Sequence, residues 1–223
     1  KFSYASGVLQ YPFELKPNEE KEIYLAIPFY EDKINFDISS DENENIKLVK
    51  EKLNDVINYW DKKVNYVEFN LPSSANKIIN TIKSNIAYIL INKDYAGIQP
   101  GSRSYERSWI RDGSLTSSAL LRFGLLKEVK EFADWYSNYL FENGKVPCVV
   151  DKRGPDPVPE NDSNGEYILL MKQYFNFTKD TTFLRNKYNS IRNTVSYLQY
   201  LISQRTTDYY KNGNDSIRAF YGL

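Results

Sequence analysis

The chain has 223 residues, with 29 Lys+Arg against 29 Asp+Glu, so its formal net charge is zero. It has no histidine and one cysteine, Cys148, which excludes histidine-based catalysis, histidine zinc sites, an internal disulfide and a thiolate metal cluster. No basic stripe marks a nucleic-acid or anionic-membrane surface, and no apolar run approaches membrane-spanning length. Acid–base chemistry here falls to Asp and Glu, and less often to Lys or Tyr.

Residues 1–30 read as strands. Ile23, Leu25 and Ile27 alternate over five residues, Phe13 and Leu15 flank Glu14, and Lys16-Pro17-Asn18-Glu19-Glu20 supplies turn chemistry. Two or three strands form only a marginal unit, so residues 1–45 are expected to be the end of a β-sandwich. Residues 31–45 are polar and acidic and read as a connector. Ile46, Val49, Leu53, Val56, Ile57 and Trp60 recur at helical spacing, which makes 46–72 a linker helix and its connector.

Leu71-Pro72-Ser73-Ser74 marks a boundary, and residues 73–223 read as wholly helical with long loops. Ser73 or Ser74 is expected to cap a helix carrying Ile78, Ile79, Ile82, Ile86, Ile89 and Leu90. Further helices are expected over 112–123, stopped by Gly124, and over 126–142, ended by Asn143-Gly144. Two more start at Ser163, with Ser163 and Glu166 matching a capping box, and near Asp180, running on through Ile202. Short and long connections alternate, as in stacked helical hairpins. The two long loops, 95–111 and 145–162, then fall at one end of the bundle, opposite the tight turn at Gly124.

The densest chemistry lies in Gly101–Gly113, where Arg103, Arg107 and Arg111 are interleaved with Tyr105, Glu106, Trp109 and Asp112. Aromatic faces cover the C–H face of a sugar, and charged groups bind its hydroxyls. Tyr105, Arg107, Trp109, Arg111 and Asp112 are therefore candidate substrate-binding residues. For Asp112 alone, capping of the following helix is an equal reading. In the second loop, Glu160, Asn161 and Asp162 precede the capping box, and Glu160 and Asp162 join the binding set. Trp135 reads as core, Trp60 as packing for the linker helix, and Cys148 as a small buried side chain with nothing beside it to activate the thiol.

Tyr105-Glu106-Arg107-Ser108-Trp109-Ile110-Arg111-Asp112-Gly113 resembles the aromatic and Arg-Asp motif of glucoamylase-like enzymes, members of the six-hairpin glycosidases. Pro100-Gly101-Ser102-Arg103 with Glu106 is also similar to the trehalase signature, with a different later spacing. The resemblance covers roughly residues 46–223. It implies a mainly α chain, part of an (α/α)6 toroid of helical hairpins, preceded by the end of a β-sandwich and a linker helix. It also implies a bacterial extracytoplasmic enzyme without cofactor or metal, acting on an oligo- or polysaccharide. By the same resemblance, Arg111 and Asp112 bind hydroxyls of the sugar at the cleaved bond and do not transfer protons.

The expected activity is inverting glycoside hydrolysis, with one carboxylic acid protonating the leaving oxygen and one carboxylate activating water. The helices read here do not complete a ring, so the chain is expected to be a fragment whose general acid and base lie beyond Leu223. Glu160, Asp162 and Asp215 are the catalytic candidates within it. The remainder of the same polypeptide is then the expected partner. It would cover the apolar stripes Ile78–Leu90 and Leu184–Ile202, which otherwise stay exposed and drive self-association. The alternative is a non-catalytic carbohydrate-binding or structural helical domain. A helical isoprenoid cyclase is a third reading, opposed by the absence of an aspartate-rich motif and by the polar loops.

Overall fold

A computed structural model describes residues 7–27, 39 and 41–212. The chain divides into two units, residues 1–57 and 58–223. In the first unit, residues 7–27 pair into no strand, and their side chains are exposed. Only the expected turn forms: the Glu19 amide donates to the Lys16 carbonyl (3.0 Å), and the Lys16 amide donates to the Glu19 carboxylate (2.9 Å). The alternation at Ile23, Leu25 and Ile27 satisfies a strand's side-chain period, but a ladder also needs a neighbouring strand's backbone groups. Helix α1 (Glu42–Val64) follows, opened by the Asp41 carboxylate accepting from the Asn43 amide (2.8 Å). Glu42 and Glu44 in its first turn and Lys62 and Lys63 in its last complement the helix dipole. Leu53, Val56 and Ile57 on its apolar stripe are exposed.

The second unit is mainly helical. Helix α2 (Asn76–Ile91) has no hydroxyl cap. A 3₁₀ turn at Ser73–Ala75, closed by the Ala75 amide on the Pro72 carbonyl (2.8 Å), leads into it instead. Ile79 and Ile86 are its buried positions, while Ile78, Tyr88 and Ile91 face out. A hairpin of β1 (Lys93–Asp94) and β2 (Gly97–Ile98) then turns the chain. After β3 (Ser108–Trp109) come α3 (Ile110–Arg122) and α4 (Leu126–Ser137), joined by the tight turn the sequence predicts. Gly124 sits there at φ +73°, and any side chain on it would overlap the Tyr66 ring. Helix α4 stops five residues short of the expected Glu142. A separate turn closes at Gly144, whose amide donates to the Phe141 carbonyl (2.9 Å).

Strands β4 (Val149–Asp151) and β5 (Gly154–Pro155) precede α5 (Ser163–Thr178). These short strands correct the expectation of bare loops between helices. The final expected helix is broken into α6 (Thr181–Asn186) and α7 (Tyr188–Arg205) at Lys187, whose amide reaches the carbonyls of Phe183 and Leu184, and a short α8 (Asp208–Lys211) follows. At the break, the Lys187 ammonium pairs with Asp134 (2.6 Å). Asp180 does start α6 as expected, its carboxylate accepting from the Phe183 amide (2.9 Å).

Helix α3 packs chiefly on α5 and α4, and α5 also meets α7. Their shared core includes Leu120, Leu121, Val129, Phe132, Tyr136, Tyr167, Leu170 and Met171. Gly113 lets α3 and α4 approach: a Cβ there would collide with the Phe132 ring. Two buried tyrosine hydroxyls find partners. Tyr136 donates to the Pro147 carbonyl (2.9 Å), and the Tyr167 hydroxyl lies between Ser137 Oγ (2.9 Å) and Ser190 Oγ (3.0 Å). Tyr188, Tyr200 and Ile202 on α7 are exposed. Among the described residues, no helix is long and apolar enough to cross a membrane.

Candidate functional site

The two long loops meet, as the alternation of connections predicts. Ser108 pairs with Val150 and Trp109 with Val149, so β3, contributed by the first loop, is the edge of a three-stranded antiparallel sheet with β4 and β5. The Ile110 amide donates to the Cys148 carbonyl (3.1 Å), which ties the start of α3 to the second loop. Asn164 on α5 accepts from the Val146 amide (2.9 Å), fixing that loop's other side. Cys148 is buried, as expected, and burial pushes its thiol above the usual range.

Two arginines anchor this junction, each spread across two carboxylates of the second loop. Arg107 donates through Nε to Asp151 (2.7 Å) and through Nη2 to Asp156 (3.0 Å). Its guanidinium lies 5.4 Å from the Trp109 ring centroid. Arg111, at the start of α3, donates through Nε to Asp162 (2.6 Å) and through Nη2 to Glu160. Arg153, at the β4–β5 tip, adds a bond to Asp151 (2.6 Å). The Arg153 side chain and backbone, then Arg107, hold the Asp151 carboxyl below its ordinary range against the opposing effect of burial. Asp156 is also lowered, first by the Val158 amide and then by Arg107. Both arginines are raised in turn, Arg107 chiefly by Asp156 and Arg111 chiefly by Asp162.

Beside the Arg107 node opens a cleft of about 580 Å³. Its walls include Tyr95, Arg107, Trp135, Tyr139, Asp151 and Arg153. The position differs from the expected one. Trp109, Arg111 and Asp112, which the sequence places at the centre of the site, do not line this cleft, nor do Tyr105, Glu160 and Asp162. Tyr105 is exposed, with its ring 6.2 Å from that of Trp109. Asp112 occupies the third residue of α3, behind Trp109 at the cap position, so it complements the dipole without capping. Its carbonyl accepts from the Thr116 hydroxyl (2.7 Å). Asp215 lies outside the described residues.

Sequence reasoning missed Trp135 and Tyr139. Trp135 belongs to an aromatic cluster with Phe132, Tyr136 and Tyr139, the expected core role, but its outer edge also reaches the cleft. No linear motif marks it, because its place in the apolar stripe of α4 explains it fully as core. The tip at Asp151 did carry a signal: Asp151-Lys152-Arg153-Gly154 forms an Asx turn, with the Arg153 amide donating to Asp151 Oδ1 (2.8 Å).

The capping box at Ser163 and Glu166 does not form. Asp162 holds the cap position in helical geometry (φ −73°, ψ −25°), whereas a capping side chain needs an extended residue there. Ser163 Oγ and Glu166 Oε2 are left buried without a protein partner. Among the described residues, no group of three or more ligand-type side chains is placed to hold a metal ion. Comparison with family models, characterised proteins and solved structures finds no match for the chain.

Proposed function

We propose that the 58–223 unit is a carbohydrate-binding helical domain built as part of an (α/α)6 toroid of the glycoside hydrolase kind, with a saccharide held in the cleft beside Arg107. The observation that carries this reading is the cleft itself: about 580 Å³, walled by Tyr95, Trp135 and Tyr139 and by the Arg107–Asp151–Arg153 network. That volume suits a small ligand, and flat aromatic side chains beside bidentate-capable groups are what sugar C–H faces and hydroxyls need. The toroid reading draws support from the start of α3 lying beside the start of α5, bridged by Arg111 and Asp162, while α4 packs against both helices.

Binding is better supported than catalysis within this unit. Inverting hydrolysis asks for two carboxyl groups roughly 6.5–9.5 Å apart, one of which gives a proton. Asp151, held ionised by two arginines, is unsuited to proton donation. Glu160 and Asp162 are engaged by Arg111 outside the cleft lining. Arg111 of the sequence motif then acts at the junction of the loops, positioning the second loop rather than contacting sugar in the cleft, while Asp112 stays in the first turn of α3.

Isothermal titration of the full chain with mono- to tetrasaccharides of glucose, xylose and mannose tests the reading. Saturable binding in the micromolar to millimolar range is expected, weakened by Tyr139→Ala. Reducing-sugar release should stay at background. Absence of binding across the panel would overturn the carbohydrate reading, and sustained release that disappears in Glu160→Gln or Asp162→Asn would return catalysis to the second loop.

A further inference from the structure

The tip of the β1–β2 hairpin breaks a local rule. Lys93 pairs with Ile98 and Asp94 with Gly97, which leaves Tyr95 and Ala96 as a two-residue turn. Such turns demand positive φ and are dominated by Gly, Asn and Asp. Tyr95 stands there at φ +47°, a conformation in which a bulky side chain is a genuine outlier. Positive φ falls on Tyr95 and not on Ala96, and glycine would take the Tyr95 position without strain. Burial offers little in exchange, since Tyr95 is 80% exposed. It nevertheless lines the cleft. Arg103, on the same lining, is held at φ +60°. Of the positive-φ non-glycine residues among those described, the remaining two, Asn18 and Lys179, sit in a chain turn and at the end of α5. Two positive-φ, exposed side chains thus border one cavity, and backbone strain of this kind concentrates at ligand sites.

We propose that Tyr95 is a sugar-stacking platform at the mouth of the cleft, so that the site takes an oligosaccharide of two or more units, one against Tyr95 and the next against Trp135 and Tyr139. This rests on the carbohydrate reading of the cleft and adds ligand length to it. A tyrosine suits such a platform, because its ring offers a rigid apolar face at small conformational cost and its hydroxyl tolerates water. The neighbouring hairpin residues Asp94 and Gly97 also border the cleft, so the turn presents the ring on a fixed element.

The test compares wild type with Tyr95→Gly, Tyr95→Asn and Tyr95→Phe, using cellotetraose, xylotetraose, mannotetraose and maltotetraose with their monosaccharides as probes. Gly and Asn both tolerate positive φ, so both variants should stay folded, as a cooperative thermal transition within about 4 °C of wild type will show. Affinity for the tetrasaccharide that wild type binds should fall about tenfold in both, a change of about 1.4 kcal/mol. Monosaccharide affinity should stay within about twofold, and Tyr95→Phe should bind as wild type does. Unchanged tetrasaccharide affinity in a folded Gly or Asn variant would overturn the platform while leaving the carbohydrate reading intact. An equal loss for monosaccharides would also contradict it, because Tyr95 would then act on a single site. A wild-type chain that binds none of the probes would overturn the underlying reading and the platform together.

Discussion

The Arg107 and Arg111 nodes use the same parts in different surroundings. Each arginine divides its guanidinium between two acids of the second loop, and both stand on the same short stretch of chain. The Arg107 side chain is 25% exposed and that of its partner Asp151 only 8%, whereas Arg111, Glu160 and Asp162 lie between 35% and 44%. In water, an ion pair gains little over its separately solvated groups; with one partner buried, losing the other leaves a charge without compensation. The Arg107 node therefore holds the β3–β4–β5 sheet and the cleft wall in place. The Arg111 node steers the loop entering α5 and contributes modestly to stability. Motif density in the sequence does not separate these cases, because burial decides them.

Removing each arginine should expose the difference. Arg107→Ala leaves Asp151 largely buried with Arg153 as its remaining cationic partner, and is expected to cost about 2–3 kcal/mol in denaturant unfolding. A second substitution, Asp151→Asn in the Arg107→Ala background, should recover part of that loss by removing a largely buried charge that Arg153 alone then compensates. A cost below about 0.5 kcal/mol for Arg107→Ala would erase the distinction between the nodes.

Acid titration gives the next effect. The folded Asp151 carboxyl lies below its unfolded value, so its contribution is fully present at neutral pH and above the ordinary carboxylate range. It is lost as pH falls below about 4, toward the folded value. Wild type should accordingly lose stability below about pH 4 more steeply than Asp151→Asn, as urea midpoints from strongly acidic to neutral pH will reveal. Parallel curves would mean that Asp151 is not held by its arginines.

The smallest effect belongs to Arg111→Ala, expected at about 0.5–1 kcal/mol or less and reduced further in about 1 M salt, since both of its partners are solvated. A larger, salt-insensitive loss would give Arg111 the anchoring role that burial gives Arg107.

The same contrast between local pattern and burial governs what the sequence reveals. Helix existence followed from periodicity at Ile79 and Ile86, at Val129, Phe132 and Tyr136, and at Leu170 and Tyr174, because each apolar stripe has a core to meet. The meeting of the two loops followed from connection lengths alone. Local signals failed where tertiary geometry intervened. Ser163 and Glu166 satisfy a capping pattern that Asp162's helical backbone prevents, and the stripe read as one helix is divided at Lys187, which pairs with Asp134. Ile23, Leu25 and Ile27 have a strand's pattern and no strand partner among the described residues. The cleft was the least legible feature. Trp135 belongs to α4 and Tyr139 follows just after it, while Tyr95 comes from a hairpin whose turn chemistry argues against a tyrosine.

The central claim, that saccharide binds on the Arg107 side and not around Arg111, can be read from the protein's own tryptophans. The chain has three, Trp60, Trp109 and Trp135, of which Trp135 lines the cleft and Trp109 does not. Two single-tryptophan proteins, Trp60→Phe/Trp109→Phe and Trp60→Phe/Trp135→Phe, should be titrated with the best-bound tetrasaccharide while emission is recorded. Binding in the cleft predicts a saturable emission change in the protein that keeps Trp135, with the affinity found by calorimetry, and a flat response in the protein that keeps Trp109. A saturable change confined to Trp109 would contradict it and move the site to the Arg111 node.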